Sequence, residues 1–245
     1  MDPEATFQLI ARRAYLAGRI VDWLYQVDKE RIETLSQSVL SPAAATRRLN
    51  TSSIGITGHS RNGKQSLLAA AWDERITAVA DSSSGVPGFS SYRFSSGNTF
   101  SETPSSSWPG PWWLPSLRDM AGLEDTNPMD AHGLLALIAP RPVLHANAWT
   151  DNCDPSFSIE TTYLAGLGVY EFVGGSGAEG RARLRLDHRP GDHHGWETPH
   201  RYVDWFDYHF DYHPLGQPGY TYDDRWPESS NLLHRQYSWD EWANK

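Results

Sequence analysis

The chain has 245 residues, 39% of them hydrophobic and one a cysteine. That is enough for one domain with a sizeable core, and it rules out an internal disulfide and a cysteine-based zinc site. Thirty acidic side chains against 21 Lys and Arg give a net charge of −9 without any dense basic block, which argues against nucleic acid and anionic membrane as partners.

Residues 5–26 repeat apolar side chains (Phe7, Ile10, Ala11, Ala14, Tyr15, Ala17, Ile20, Val21, Leu24) at helical spacing, which predicts a long amphipathic helix. A polar connection through Ser41-Pro42 leads to SSIGITG, a short strand, and RNGKQSLLAAAWD, a helix rich in good helix formers. ITAVADSSSG predicts a second strand ending in a small-residue loop. Residues 86–128 are dominated by Gly, Pro, Ser and Trp, as in SETPSSSWPGPWWLP, and read as a lid-like excursion. MDAHGLLALIA is a short helix and APRPVLHANAW a third strand. PSFSIETTYLAGLGVYEFVG holds a helix, RARLRLDHR a fourth strand, and ETPHRYVDWFDYHF a last helix before a polar, aromatic tail from Pro214.

Strands alternating with helices predict an α/β fold, a mainly parallel sheet of about four strands with helices on both faces, in a single domain spanning 1–245. No glycine pattern of a dinucleotide or phosphate loop occurs, so no organic cofactor is expected. No apolar run reaches membrane-spanning length. The first residues lack the basic start and unbroken apolar stretch of a signal peptide, which leaves the cytoplasm as the default location.

Gly58-His59-Ser60-Arg61-Asn62-Gly63 lies between the first strand and its helix. A serine there sits on a tight, strained turn that points its hydroxyl outward, and small residues on either side let strand and helix approach. The usual G-x-S-x-G spacing is broken by Asn62, with Gly63 one residue later. The plainer alternative is that Ser60 only caps the helix. A serine hydroxyl needs a base to take its proton and an acid to orient that base. In this type of fold the chain order is serine, acid, histidine, each in a loop at the C-terminal end of a strand.

The third strand runs into Asp151-Asn152-Cys153-Asp154-Pro155 and the fourth into Pro190-Gly191-Asp192-His193-His194-Gly195. Asp151 is preferred over Asp154, which suits a helix cap beside Pro155. His193 is preferred over His194 because Gly191 shapes the loop just before it. A metal site from Asp192, His193 and His194 is not expected, since adjacent histidines point in different directions.

GHSRNGK, APRPVL, TDNCDP and RPGDHH together resemble the α/β-hydrolase superfamily, and more narrowly the glucuronoyl esterases and their bacterial relatives. The resemblance runs from about Tyr15 to Phe210. It implies Ser60 as nucleophile, His193 as base and Arg61 in the oxyanion hole. It also implies a sugar contact for Lys64, against the alternative of a solvated helix lysine. Trp112 and Trp113, with Trp108, are expected above the serine as sugar-binding faces or as lid core, and Tyr92 and Arg93 as pocket lining. The chain departs from the family pattern at three places. Ser83 stands where many members carry the acidic glutamate, which moves that role to Asp151. Asn152 stands where a substrate-contacting tryptophan is expected. A glutamate expected just before the tryptophan pair is missing, Glu102 lying further upstream.

Only one helix precedes the serine turn, so the fold reads as a truncated α/β-hydrolase-like three-layer sandwich without its N-terminal strands or second oxyanion donor. An exposed sheet edge then needs cover from a partner chain, a second copy or the chain's own termini. The expected activity is a serine carboxylic-ester hydrolase acting through an acyl-enzyme on a carbohydrate-linked ester. The alternative is an inactive fragment, or half of an interaction pair.

Overall fold

Among the described residues, four short strands carry the architecture: β1 (Gly55–His59), β2 (Ala78–Ser82), β3 (Val143–Ala148) and β4 (Leu184–Arg189). They pair side by side in chain order, and every pair is parallel. The computed structural model describes residues 9–37, 49–95, 103, 119–174, 178–189, 191–194 and 199–211. Trp108, Trp112, Trp113, Glu102 and the tail from Pro214 lie outside them.

Parallel neighbours cannot be joined by a tight hairpin, so each connection must cross over the sheet. α2 (Arg61–Trp72) joins β1 to β2, α3 (His132–Ile138) leads into β3, and α4 (Ser156–Val173) with the short α5 (Ala178–Ala182) joins β3 to β4. α1 (Leu9–Gln37) precedes the sheet, and α6 (Pro199–His209) follows it. α5 takes Arg181 and Ala182 from the segment expected to open the fourth strand.

Successive side chains of a strand point to opposite faces, and the two cores follow that rule. Val79 and Val143 pack with Leu67, Leu135, Ile159 and Tyr170 from α2, α3 and α4. Their neighbours Ala80 and Leu144 pack on the other face with Trp205 of α6. Helices therefore cover both faces, as the alternating pattern predicts.

α1 runs well past the expected end near residue 26. Residues 27–37, VDKERIETLSQ, contain no Gly or Pro to stop the helix. Its buried seam is narrow: Ile10, Ala14, Ala17 and Val21, with Tyr15, Leu16, Ile20 and Trp23 at 58–60% exposure. Arg75 ties α1 to the end of α2, with ion pairs to Asp22 at 2.6 Å and Asp73 at 2.7 Å.

β2 and β3 are buried at every position, whereas β1, at the edge, is exposed or half-buried throughout. The base of the 86–128 excursion is stitched by Asp130, whose carboxylate accepts from Ser91 Oγ and from Tyr92 N, both at 2.7 Å. Arg93 donates to the carbonyls of Glu124 and Asn127 on the same side. This guanidinium braces the loop rather than reaching for the serine turn.

Candidate active site

Ser60 connects β1 to α2 with φ 55° and ψ −122°. A non-glycine residue in this region of positive φ is strained, and such strain persists only where the surroundings enforce it. They do so here by close approach. A Cβ on Gly58 would lie 2.3 Å from the Asn62 carbonyl oxygen, and one on Gly63 would lie 2.9 Å from Ser84 Cβ. Gly63 thus performs the packing role that the usual pattern gives to the residue before it, and Asn62 is free to face outward, accepting from Arg13 at 3.1 Å. Ser60 N donates to Ser82 O at 2.8 Å, which pins the turn to the end of β2. Ser60 occupies the cap position of α2 without a side-chain capping bond. Its hydroxyl is committed elsewhere.

That hydroxyl lies 3.0 Å from His193 Nε2. The opposite ring nitrogen, Nδ1, lies 2.9 Å from Asp151 Oδ2 and 3.1 Å from Oδ1. β1 and β4 are the two edges of the sheet, three strand spacings or about 14 Å apart. The β4 loop must therefore reach back across the strand ends to bring His193 to Ser60. Gly191 makes the bend at φ 100°, a conformation suited to glycine. Its carbonyl accepts from Thr150 Oγ1 at 2.7 Å and from Thr150 N at 3.3 Å, tying the histidine loop to the acid loop.

Burial raises the Asp151 carboxyl, but hydrogen bonds from His193, Ser83 and the Cys153 N–H outweigh it and hold the group below its ordinary value. The Cys153 N–H reaches Oδ1 at 2.7 Å. Ser83, at the position where a glutamate was the family expectation, helps lower the Asp151 carboxyl, and its hydroxyl lies 3.5 Å from Asn147 Oδ1. His194 is exposed, with its main-chain N–H on Asp192 Oδ1 at 3.1 Å.

The cap expected at Asp154 is not found. Pro155 precedes α4, and the buried Asp154 carboxylate accepts from Ser90 Oγ and faces His145 Nε2 at 3.2 Å. His145 Nδ1 in turn lies 2.9 Å from Asp81 Oδ2. This second Asp–His constellation was not anticipated. Its one signal was a titratable residue within each of two otherwise apolar or small-residue strands, Asp81 in β2 and His145 in β3. Lys64 departs from the solvated-lysine reading: it is 2% exposed, and Nζ donates to the Ser84 carbonyl. Arg61 is exposed and opens α2, where a first-turn N–H finds no acceptor in its own helix.

Among the described residues, two groups of side chains bring metal-ligating atoms within 4.8 Å of one another, His59–His193–His194 and Asp151–Cys153–His193. No described helix is long and apolar enough to cross a membrane.

Known proteins resemble parts of this chain. The chain is 32% identical over 133 residues to a 4-O-methyl-glucuronoyl methylesterase of Hypocrea jecorina, covering 52% of this chain and 27% of that protein. It is 31% identical over 174 residues to a carbohydrate esterase of unknown prokaryotic origin, covering 64% of this chain and 38% of that protein. Among solved structures, a carbohydrate esterase family 15 glucuronoyl esterase from Caldicellulosiruptor kristjansonii superposes with a TM-score of 0.65 at 24% identity, over 87% of this chain and 53% of that one, a likeness of fold. The chain therefore spans well under half the length of these two curated relatives. The family model described as "Glucuronyl esterase, fungi" matches residues 5–174, more than half of the chain, and the protein belongs to that glucuronoyl esterase family.

Proposed function

We propose that the chain hydrolyses a carboxylic ester of a sugar acid through a serine acyl-enzyme. The observation that carries this reading is the continuous line from Ser60 Oγ through His193 to Asp151, at 3.0 Å and 2.9 Å. His193 Nε2 takes the Ser60 proton as Oγ attacks the ester carbonyl. The Arg61 N–H at the start of α2 stabilises the oxyanion. His193 then returns the proton to the departing alcohol, and water repeats the sequence to release the acid. Asp151 remains a carboxylate throughout, consistent with its lowered pKa, and compensates the imidazolium that forms.

The substrate class follows the relatives, several of which are named as 4-O-methyl-glucuronoyl methylesterases. Lys64 belongs to the support of this site, holding the Ser84 loop from below. A sugar contact from Lys64 requires its ammonium to leave that carbonyl. Trp112 and Trp113 are proposed as the sugar-facing side of the excursion.

The test is hydrolysis of p-nitrophenyl acetate and of a methyl glucuronate ester by the purified chain and by Ser60→Ala. Turnover of both esters that disappears in the variant supports the reading. Turnover of the acetate alone keeps the esterase and removes the sugar acid. No turnover of either ester leaves the chain a non-catalytic member of its family.

A further inference from the structure

A residue that sequence spacing could not bring into the site stands beside the histidine loop. His59 is the last residue of β1, 134 positions before His193. Its ring centre lies 4.9 Å from that of His193 and 6.2 Å from that of His194, and the latter two lie 4.7 Å apart. Adjacent histidines were expected to diverge, yet the rings of His193 and His194 meet edge to face. A third imidazole arriving from another strand closes the triangle.

We propose that His59, His193 and His194 form an inhibitory binding site for a divalent transition-metal ion that favours imidazole, with Zn2+ as the probe. Tetrahedral Zn2+ bonded to nitrogen at about 2.0 Å holds imidazole ring centres about 5 Å apart. Two of the three separations already match, and the third must close by about 1 Å. The residue that moves is the exposed His194, which follows the Gly191 bend. The other two rings are held as ligand histidines commonly are, through the nitrogen that does not face the ion. His193 Nδ1 is on the Asp151 carboxylate, and His59 Nδ1 is 3.1 Å from Ser82 Oγ. Nε2 is then the ligating atom of both, and the three side chains are reachable from solvent.

In the alternative group, Asp151–Cys153–His193, the histidine nitrogen beside the carboxylate is Nδ1. An ion there would replace the two hydrogen bonds that Asp151 makes to that nitrogen and engage a carboxylate already holding the Cys153 N–H. The three-histidine site leaves the Asp151 hydrogen bonds in place and displaces the contact between His193 Nε2 and Ser60 Oγ. That contact is the one catalysis needs, so an ion at this place stops ester hydrolysis while leaving the fold intact. The inhibitory consequence rests on His193 being the base of the proposed reaction, whereas the binding does not.

Titration calorimetry with Zn2+, paired with p-nitrophenyl acetate hydrolysis, tests both parts. One ion is expected per site, bound by the intact chain and by Ser60→Ala alike. Loss of one ligand in His194→Gln weakens binding by at least about tenfold and shifts the inhibiting Zn2+ concentration by the same factor, with hydrolysis in the absence of metal retained. Cys153→Ser binds as the parent does, and a chelator restores activity. The proposal is overturned if no Zn2+ binds, if His194→Gln binds unchanged, if Cys153→Ser is the variant that loses the ion, or if an active chain is not inhibited. Binding with the expected variant pattern in a chain that hydrolyses no ester supports the metal site and sinks the esterase reading instead.

Discussion

Two Asp–His constellations share one sheet and one loop, and they do opposite things. Asp151 and Asp154 are three residues apart. The first holds His193, whose side chain is 15% exposed and whose far nitrogen meets Ser60. The second faces His145, fully buried in the middle of β3 between Asp154 and Asp81 and stacked on Phe89 at 4.1 Å. Burial pushes the His145 pKa down, but the two carboxylates prevail and hold it up at about 10, so His145 is a cation across the physiological range. The residue types are the same at both places. Access to solvent and a hydroxyl at the far nitrogen suit the first to the proposed proton relay, and enclosure makes the other a fixed charge cluster that ties the Asp154 loop to β2 and β3.

The largest expected effect separates the two at the reaction centre. Ser60→Ala lowers kcat for ester hydrolysis by about 10³–10⁶-fold, with the thermal midpoint nearly unchanged, measured by initial rates and calorimetry. Asp151→Asn follows at about 10⁴-fold in kcat, because the amide stabilises the wrong imidazole tautomer. A loss below tenfold there would show that Asp151 is not the orienting acid.

The buried constellation responds in the other quantity. His145→Leu leaves Asp81 and Asp154 without their shared cation and costs about 3–5 kcal/mol of stability, read from urea unfolding, while kcat of the folded fraction stays within a few-fold. A collapse of kcat with intact stability would erase the distinction. The pH dependence has a definite sign. Because folding raises the His145 pKa from about 6.5 to about 10, its contribution is complete below pH ~6.5 and is lost as pH rises toward 10. His145→Leu removes that alkaline decline. Asp151 acts in reverse: its depressed pKa adds stability above pH ~4 that fades as pH falls through the lowered value.

The smallest effect sharpens the boundary between the two regions. Ser83→Ala removes a hydroxyl that helps lower the Asp151 carboxyl, an effect worth about 1 kcal/mol. It is expected to lower kcat several-fold with little change in unfolding.

The serine site was legible in advance because its determinants are local. Gly58 and Gly63 bracket a strand–turn–helix, and Asp151 and Gly191-Asp192-His193 each follow a strand. Chain order and parallel strands put all of these at one end of the sheet. Choosing Asp151 over Asp154 and His193 over His194 rested on distance from the strand end and on Gly191, and the hydrogen bonds run along those choices. The segment at 86–128 shows the limit, since composition alone suggested an excursion there while the contacts of Ser91 and Tyr92 run to Asp130, beyond its expected end.

Composition, periodicity and strand-end chemistry by themselves determined that this is a parallel α/β chain with a serine, an aspartate and a histidine in esterase order. Tertiary structure alone decided the rest. Asp81 and His145 are direct partners across β2 and β3 although 64 residues apart, Lys64 turns inward to Ser84, and His59 meets the histidine loop. Such pairings depend on strand register and on which side of a turn a side chain leaves. Neither is encoded within any one segment, because each is set by packing two distant segments against a common core.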